Sequence, residues 1–163
     1  MIIRQVQPKD IEFAKKQIAA FEKIDAGSWR YSNVEAWRGI VCEMITSRWL
    51  EENFTVTKKA KGLDDSGKVD DCDLIIHDLK FEIKSATKNY FQFMMPKVHD
   101  LNDHPKDFYI GSKYDETTTP NQIKIIGFIE RSEILKYPIE KNKGAPYYKF
   151  PLSKLINIEY LNF

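Results

Sequence analysis

Residues 73 to 84 read Asp-Leu-Ile-Ile-His-Asp-Leu-Lys-Phe-Glu-Ile-Lys. In a two-stranded hairpin, side chains alternate faces with period two, so Asp73, Glu82 and Lys84 share one face. Two carboxylates and an ammonium converging on a sheet can hold a divalent cation and activate water. That is the chemistry of a metal-dependent phosphodiesterase. A turn centred on Asp78 and Leu79 sets His77 opposite Lys80, Ile75 opposite Glu82 and Asp73 opposite Lys84. Leu74, Ile76, Phe81 and Ile83 then form an apolar reverse face. A one-residue slip would exchange the two sets, so the apolar face pins the register. Asp78-Leu79 is a poor two-residue turn, and a four-residue loop over 77–80 keeps the same pairing.

Each residue also has a plainer reading. Asp73 alone could be a polar strand start, and Glu82 and Lys84 solvated positions on an exposed sheet face. Asp70 and Asp71 rival Asp73, since a bulge would bring Asp71 in. His77, His99 and His104 form no nuclease triad. His77 falls at the turn, and residues 98–104 read better as a polar loop than as a metal site.

The elements that must position these groups follow from pattern. The chain has 163 residues, 42% of them hydrophobic and 30% charged, which fits one globular domain over 1–163 with a sizeable core. A net charge of +1 leaves nucleic acid open, because a local patch suffices to grip phosphate. The apolar runs are too short to span a bilayer, and the N-terminal Met-Ile-Ile-Arg-Gln lacks a signal-peptide core. No membrane partner and a cytoplasmic location are expected. Cys42 and Cys72 read as buried reduced thiols, without zinc spacing.

Residues 8–24 predict a first helix, with Pro8 early and Ile11, Ala14, Ile18 and Phe21 at helical spacing. Ser32 and Glu35 form a capping-box pattern for a second helix ending near Asn53. Its stripe includes Val34, Trp37, Val41, Ile45 and Trp49. Strands are expected over 54–58, 108–112 and 123–129, and an edge strand over 147–150 ended by Pro151. Residues 59–71, 113–122 and 138–146 read as loops, 96–106 as irregular, 89–95 as ambiguous with a helix start, and 131–136 as a short helix.

Asp73 followed by Glu82-Ile83-Lys84 resembles the signature of the PD-(D/E)XK nuclease superfamily, whose tripeptide is an acidic residue, any residue, then lysine. Ser85 suits many members; the proline sometimes found before the aspartate is replaced by Cys72. Gly39-Ile40-Val41-Cys42-Glu43 is similar to the family's glycine-then-glutamate helix, and residues 127–135 are similar to its last core strand and helical turn. The likeness covers about residues 33–135.

The resemblance implies an α/β fold with a restriction-endonuclease-like core, a mixed four- to five-stranded sheet flanked by helices. It implies a magnesium-dependent DNA endonuclease of restriction-like, repair or phage type, with Mn2+ as a substitute ion. Asp73 and Glu82 would be metal ligands with the Ile83 carbonyl as a third. Lys84 would orient or deprotonate water, and Glu43 would complete the shell, with Glu35 and Glu51 as rivals. Products would carry 5′ phosphate and 3′ hydroxyl ends.

Lys58, Lys59, Lys61, Lys68, Lys88 and Lys97 are candidates to grip phosphate. Trp29, Arg30 and Tyr31 could stack on a strand, and Gln92 could stand by the site. DNA is the expected partner, RNA stays open, and cutting both strands would favour a homodimer. The competing readings are a non-catalytic nucleic-acid-binding module of the same fold, a Holliday-junction resolvase, or an unrelated α/β protein with a coincidental charged hairpin.

Overall fold

The computed structural model describes residues 1–24, 36–59, 72–141 and 144–162. Side chains are described for the same residues except 21–24 and 59. The sequence-predicted capping box, the Trp29-Arg30-Tyr31 cluster, Lys61, Lys68, Asp70 and Asp71 lie outside them.

The chain opens with strand β1 (Ile2–Gln5) and helix α1 (Pro8–Ile24). The Asp10 carboxylate accepts the Gln7 N–H at 2.9 Å, which satisfies a donor left orphaned at the helix start. Its other oxygen pairs with the Arg48 guanidinium at 3.0 Å, tying α1 to helix α2 (Trp37–Asn53). On α2 the buried Val41, Cys42, Ile45, Trp49 and Leu50 make one helical stripe. The Asn53 amide donates to the Trp49 carbonyl and the extended Phe54 ends the helix.

Seven strands form the main sheet: β1 with β2 (Val56–Lys59), β3 (Leu74–Ile76), β4 (Leu79–Ala86), β6 (Phe108–Asp115), β7 (Gln122–Glu130) and β11 (Ile156–Asn157). Their order is β1-β7-β6-β4-β3-β2, with β11 also pairing with β7. The β4–β6 pair is parallel and the others are antiparallel. A parallel pair needs a crossover. Residues 87–107 supply it, carrying strand β5 (Phe93–Met94) and helix α3 (Val98–Asp103). Helix α4 (Arg131–Ile134) follows β7 directly. The remaining short strands are β8 (Ile139–Glu140), β9 (Tyr147–Tyr148) and β10 (Phe150–Pro151); β8 pairs with β9, and β10 with β5.

The sheet divides two cores. One packs Val41, Ile45 and Leu50 of α2 on Leu74, Ile76, Phe81, Ile83, Ile110 and Ile125. The other gathers Leu101 of α3 and Ile134 of α4 with Ala86, Met94, Tyr109, Ile129 and Phe150. Inner-face residues of β7 change parity, from Ile123 and Ile125 to Phe128, because the register shifts after Gly111 and leaves Ile126 as an extra residue.

Several sequence expectations need correction. The main sheet has seven strands, not four or five: β1 and β11, each opening on isoleucine and running into polar residues, are too short to announce themselves. Residues 96–106 are not wholly irregular, since α3 starts two residues after Pro96, a position compatible with a helix entry. Residues 89–95 hold the two-residue β5 and no helix. The strand expected over 54–58 is Val56–Lys59, and the strand expected over 108–112 runs on to Asp115, shortening the loop after it. Within the expected loop over 138–146 lies β8. The expected edge strand is split into β9 and β10, and Pro151 lies within β10 rather than after it.

Candidate active site

The hairpin of β3 and β4 turns through His77 and Asp78, with φ of 47° and 64°. Both central residues in the left-handed region is the two-residue turn whose twist matches its strands, and Asp and His are among the non-glycine residues that tolerate it. Pairing is therefore Ile76 with Leu79, Ile75 with Lys80 and Leu74 with Phe81. This corrects the expected register by two residues. Continued outward, it sets Asp73 against Glu82 instead of Lys84. An even shift keeps every side chain on its face, so Leu74, Ile76, Phe81 and Ile83 are buried as expected while Glu82 and Lys84 lie on the other side.

Regular pairing of β3 stops at Leu74. The Asp73 N–H still reaches the Phe81 carbonyl at 3.0 Å, and the Asp73 carboxylate then accepts the Ile83 N–H at 2.6 Å. A side-chain oxygen thus replaces the strand that has ended. In an extended strand the N–H and C=O of one residue point to the same edge, so the Ile83 carbonyl shares that edge with Asp73.

Lys84 donates to Glu82 Oε1 at 2.6 Å, and its ammonium lies 3.8 Å from Asp100 Oδ2 on α3. The Lys106 ammonium stands 3.6 Å from the other Glu82 oxygen and is only 6% exposed. His99 Nε2 lies 3.0 Å from Asp100 Oδ1. The charge of Glu43, on α2, is felt at Asp73. Helix and sheet approach closely there: the space beside Gly39 ends at Ser85 Oγ, 3.5 Å from where a β-carbon would stand.

Burial, then the Glu82 and Glu43 charges, push the Asp73 carboxyl well above the usual carboxylate range, against the Ile83 N–H and Lys84. Burial disfavours the Lys84 ammonium, but Glu82, Asp73 and Asp100 outweigh it and hold its pKa up at about 12. Burial also raises the Tyr109 hydroxyl to about 12, with Glu82 adding to the effect. Glu82, Asp73 and Asp100 act on Lys84, Glu82 also faces Lys106, and Glu43 bears on Asp73. A divalent cation beside Asp73 would favour its charged form.

Among the described residues, no three His, Cys, Asp or Glu side chains form a ready metal cage. Magnesium does not require one, since it binds through one or two carboxylates and keeps waters or substrate phosphates for the rest. Asp73, Glu82 and the Ile83 carbonyl are hard oxygen donors of the right kind.

The structure thus sets Asp73 on the Ile83 amide and Lys84 on Glu82, with Glu43 related to them only through its charge on Asp73. Of the rivals, Glu51 is exposed near the end of α2. His77 and His104 are exposed, and Gln92 is exposed with its carbonyl accepting from Leu152. Asp100 and Lys106 were missed by sequence reasoning. Asp100 stood within residues 98–104, set aside as a polar loop rather than a metal site, and the parallel β4–β6 pairing that brings Lys106 to Glu82 is a long-range event. Cys42 and Cys72 are buried free thiols, Cys42 raised by burial to about 12.

Comparison of the chain with protein-family models, curated proteins and solved structures gives no match. No helix among the described residues is long and apolar enough to cross a membrane.

Proposed function

We propose that this protein is a magnesium-dependent endonuclease that hydrolyses DNA phosphodiester bonds, of restriction-like, repair or phage type. The observation that carries the reading is the Asp73 carboxylate bonded to the Ile83 amide beside Glu82 and Lys84. With the two-residue β5 as an insertion between β4 and α3, the run α2, β2, β3, β4, α3, β6, β7 is also similar to the element order of the PD-(D/E)XK nucleases that the hairpin resembles.

Asp73, Glu82 and the Ile83 carbonyl would hold Mg2+, with Glu43 completing the shell. The ion, when bound, would polarise the phosphate and lower the pKa of an attacking water. Lys84, protonated, would orient that water and neutralise charge growing on the non-bridging oxygens. Asp100 and Glu82 hold the Lys84 ammonium in place. With one site per chain, cutting both strands calls for two copies.

A second reading is a non-catalytic nucleic-acid-binding module. Its support is the engagement of both Glu82 oxygens by lysines. Incubation with labelled duplex, single-stranded, flap and four-way-junction DNA, with magnesium and with chelator, separates the two. The nuclease reading expects cleavage only with magnesium, reduced about 10²–10³-fold in Lys84→Ala. Preferred cutting of the four-way junction would make the enzyme a resolvase. Binding of any substrate without cleavage would favour the module.

A further inference from the structure

Between Glu82 and Asp100 the chain carries no acidic residue and three lysines, Lys84, Lys88 and Lys97, within a protein of net charge +1. The same stretch exposes large apolar side chains in near succession: Tyr90 is 71% exposed, Phe91 40%, Phe93 44% and Met95 53%. Tyr90 and Phe91 brace each other edge to face, with ring centroids 4.9 Å apart. The Lys149 ammonium stands over the Phe93 ring at 4.8 Å. Lys113 donates to the Asn89 carbonyl at 3.0 Å, so a further cation anchors the base of the segment.

We propose that residues 90–95 form a stacking platform for the unpaired bases of a single DNA strand. Bases offer flat apolar faces and a polyanionic backbone, and single-strand binders meet them with exposed aromatics set among lysines. Four exposed apolar side chains in six residues mark a surface that a partner covers, and the segment itself holds no carboxylate, Glu140 meeting it only through its 3.4 Å pair with Lys149, so an anionic partner suits it. The platform leaves β4 four residues after Ala86, the strand that carries Glu82 and Lys84. It therefore rests on the nuclease reading for its purpose, and names the substrate class as DNA that is single-stranded or frayed at the site.

The test is fluorescence anisotropy of the full chain with labelled oligothymidylate and with a blunt duplex of equal length. Both are measured in chelator, so that binding is read without cleavage. The platform predicts tighter binding of the single strand. Tyr90→Ala and Phe91→Ala should each weaken it about tenfold, Tyr90→Trp should keep it, and Tyr160→Ala, a change at an exposed ring elsewhere, should leave it unaltered. Equal affinity in Tyr90→Ala, or a preference for the duplex, overturns the proposal. So does a homodimer in sedimentation that Tyr90→Ala dissolves, because the patch would then be a subunit interface. Single-strand binding of the expected pattern without magnesium-dependent cleavage supports the platform while sinking the nuclease reading. Magnesium-dependent cleavage by a chain whose single-strand affinity Tyr90→Ala leaves unchanged does the reverse.

Discussion

The Asp73 carboxylate takes the Ile83 backbone N–H at 2.6 Å, at the point where β3 stops pairing with β4. One acidic side chain thereby closes a sheet edge and stands next to a second carboxylate, Glu82. Its burial against those charges is a cost to the fold that a bound cation would remove.

Asp73→Asn should therefore raise stability at neutral pH while abolishing magnesium-dependent cleavage. The folded-state pKa of Asp73 lies above its unfolded value. Between the two values the folded state binds more protons, so the Asp73 contribution to stability falls as pH rises through that window. The asparagine oxygen can still accept the Ile83 N–H but carries no charge. Urea denaturation of both proteins across pH 4 to 8 checks this: the mutant should show the flatter profile. Magnesium at about 100 times its Kd should stabilise the wild type by about 2.7 kcal/mol and the mutant by less.

Lys84, with its pKa near 12, stays protonated through the neutral range. Its folded-state pKa exceeds the ordinary value of 10.5, so its contribution to stability is complete below about 10.5 and is lost as pH rises through about 12. A pH–rate profile should accordingly show no limb from Lys84 between pH 7 and 9. Lys84→Ala should lower the rate about 10²–10³-fold at every pH in that range.

Asp115 behaves in the opposite sense. Its carboxylate pairs with Lys124 at 2.5 Å and accepts the Thr117 hydroxyl at 2.6 Å, and these hydrogen bonds hold its pKa down at about 2. Its contribution is present above the ordinary 3.8 and is lost as pH falls toward 2. Asp115→Ala should cost about 1–3 kcal/mol at neutral pH and flatten the acid limb of an unfolding titration.

Gly127 has no room for a side chain. A β-carbon there would stand 2.1 Å from the Ile156 carbonyl oxygen of β11. Gly127→Ala should push β11 off β7 and lower stability by about 1–3 kcal/mol, read as a drop in the urea midpoint.

Much of the site was legible because it depends on local alternation. Phe81 and Ile83 are buried while Glu82 and Lys84 are not, and that contrast survives a register error of two residues. The turn itself was misread, since His77 and Asp78 lack the glycine that usually marks two left-handed residues. Asp100 and Lys106 stayed hidden because chain crossover, not periodicity, brings them to Lys84 and Glu82. The same limit explains β1 and β11: two to four residues of pattern do not distinguish a strand from a loop until β7 supplies the partner.

The most direct measurement is the anomalous scattering of Mn2+ in crystals of the protein. An ion should lie about 2.0–2.3 Å from carboxylate oxygens of Asp73 and Glu82 and from the Ile83 carbonyl, and should be absent in Asp73→Asn. A manganese peak elsewhere, or one that persists unchanged in that variant, would contradict it.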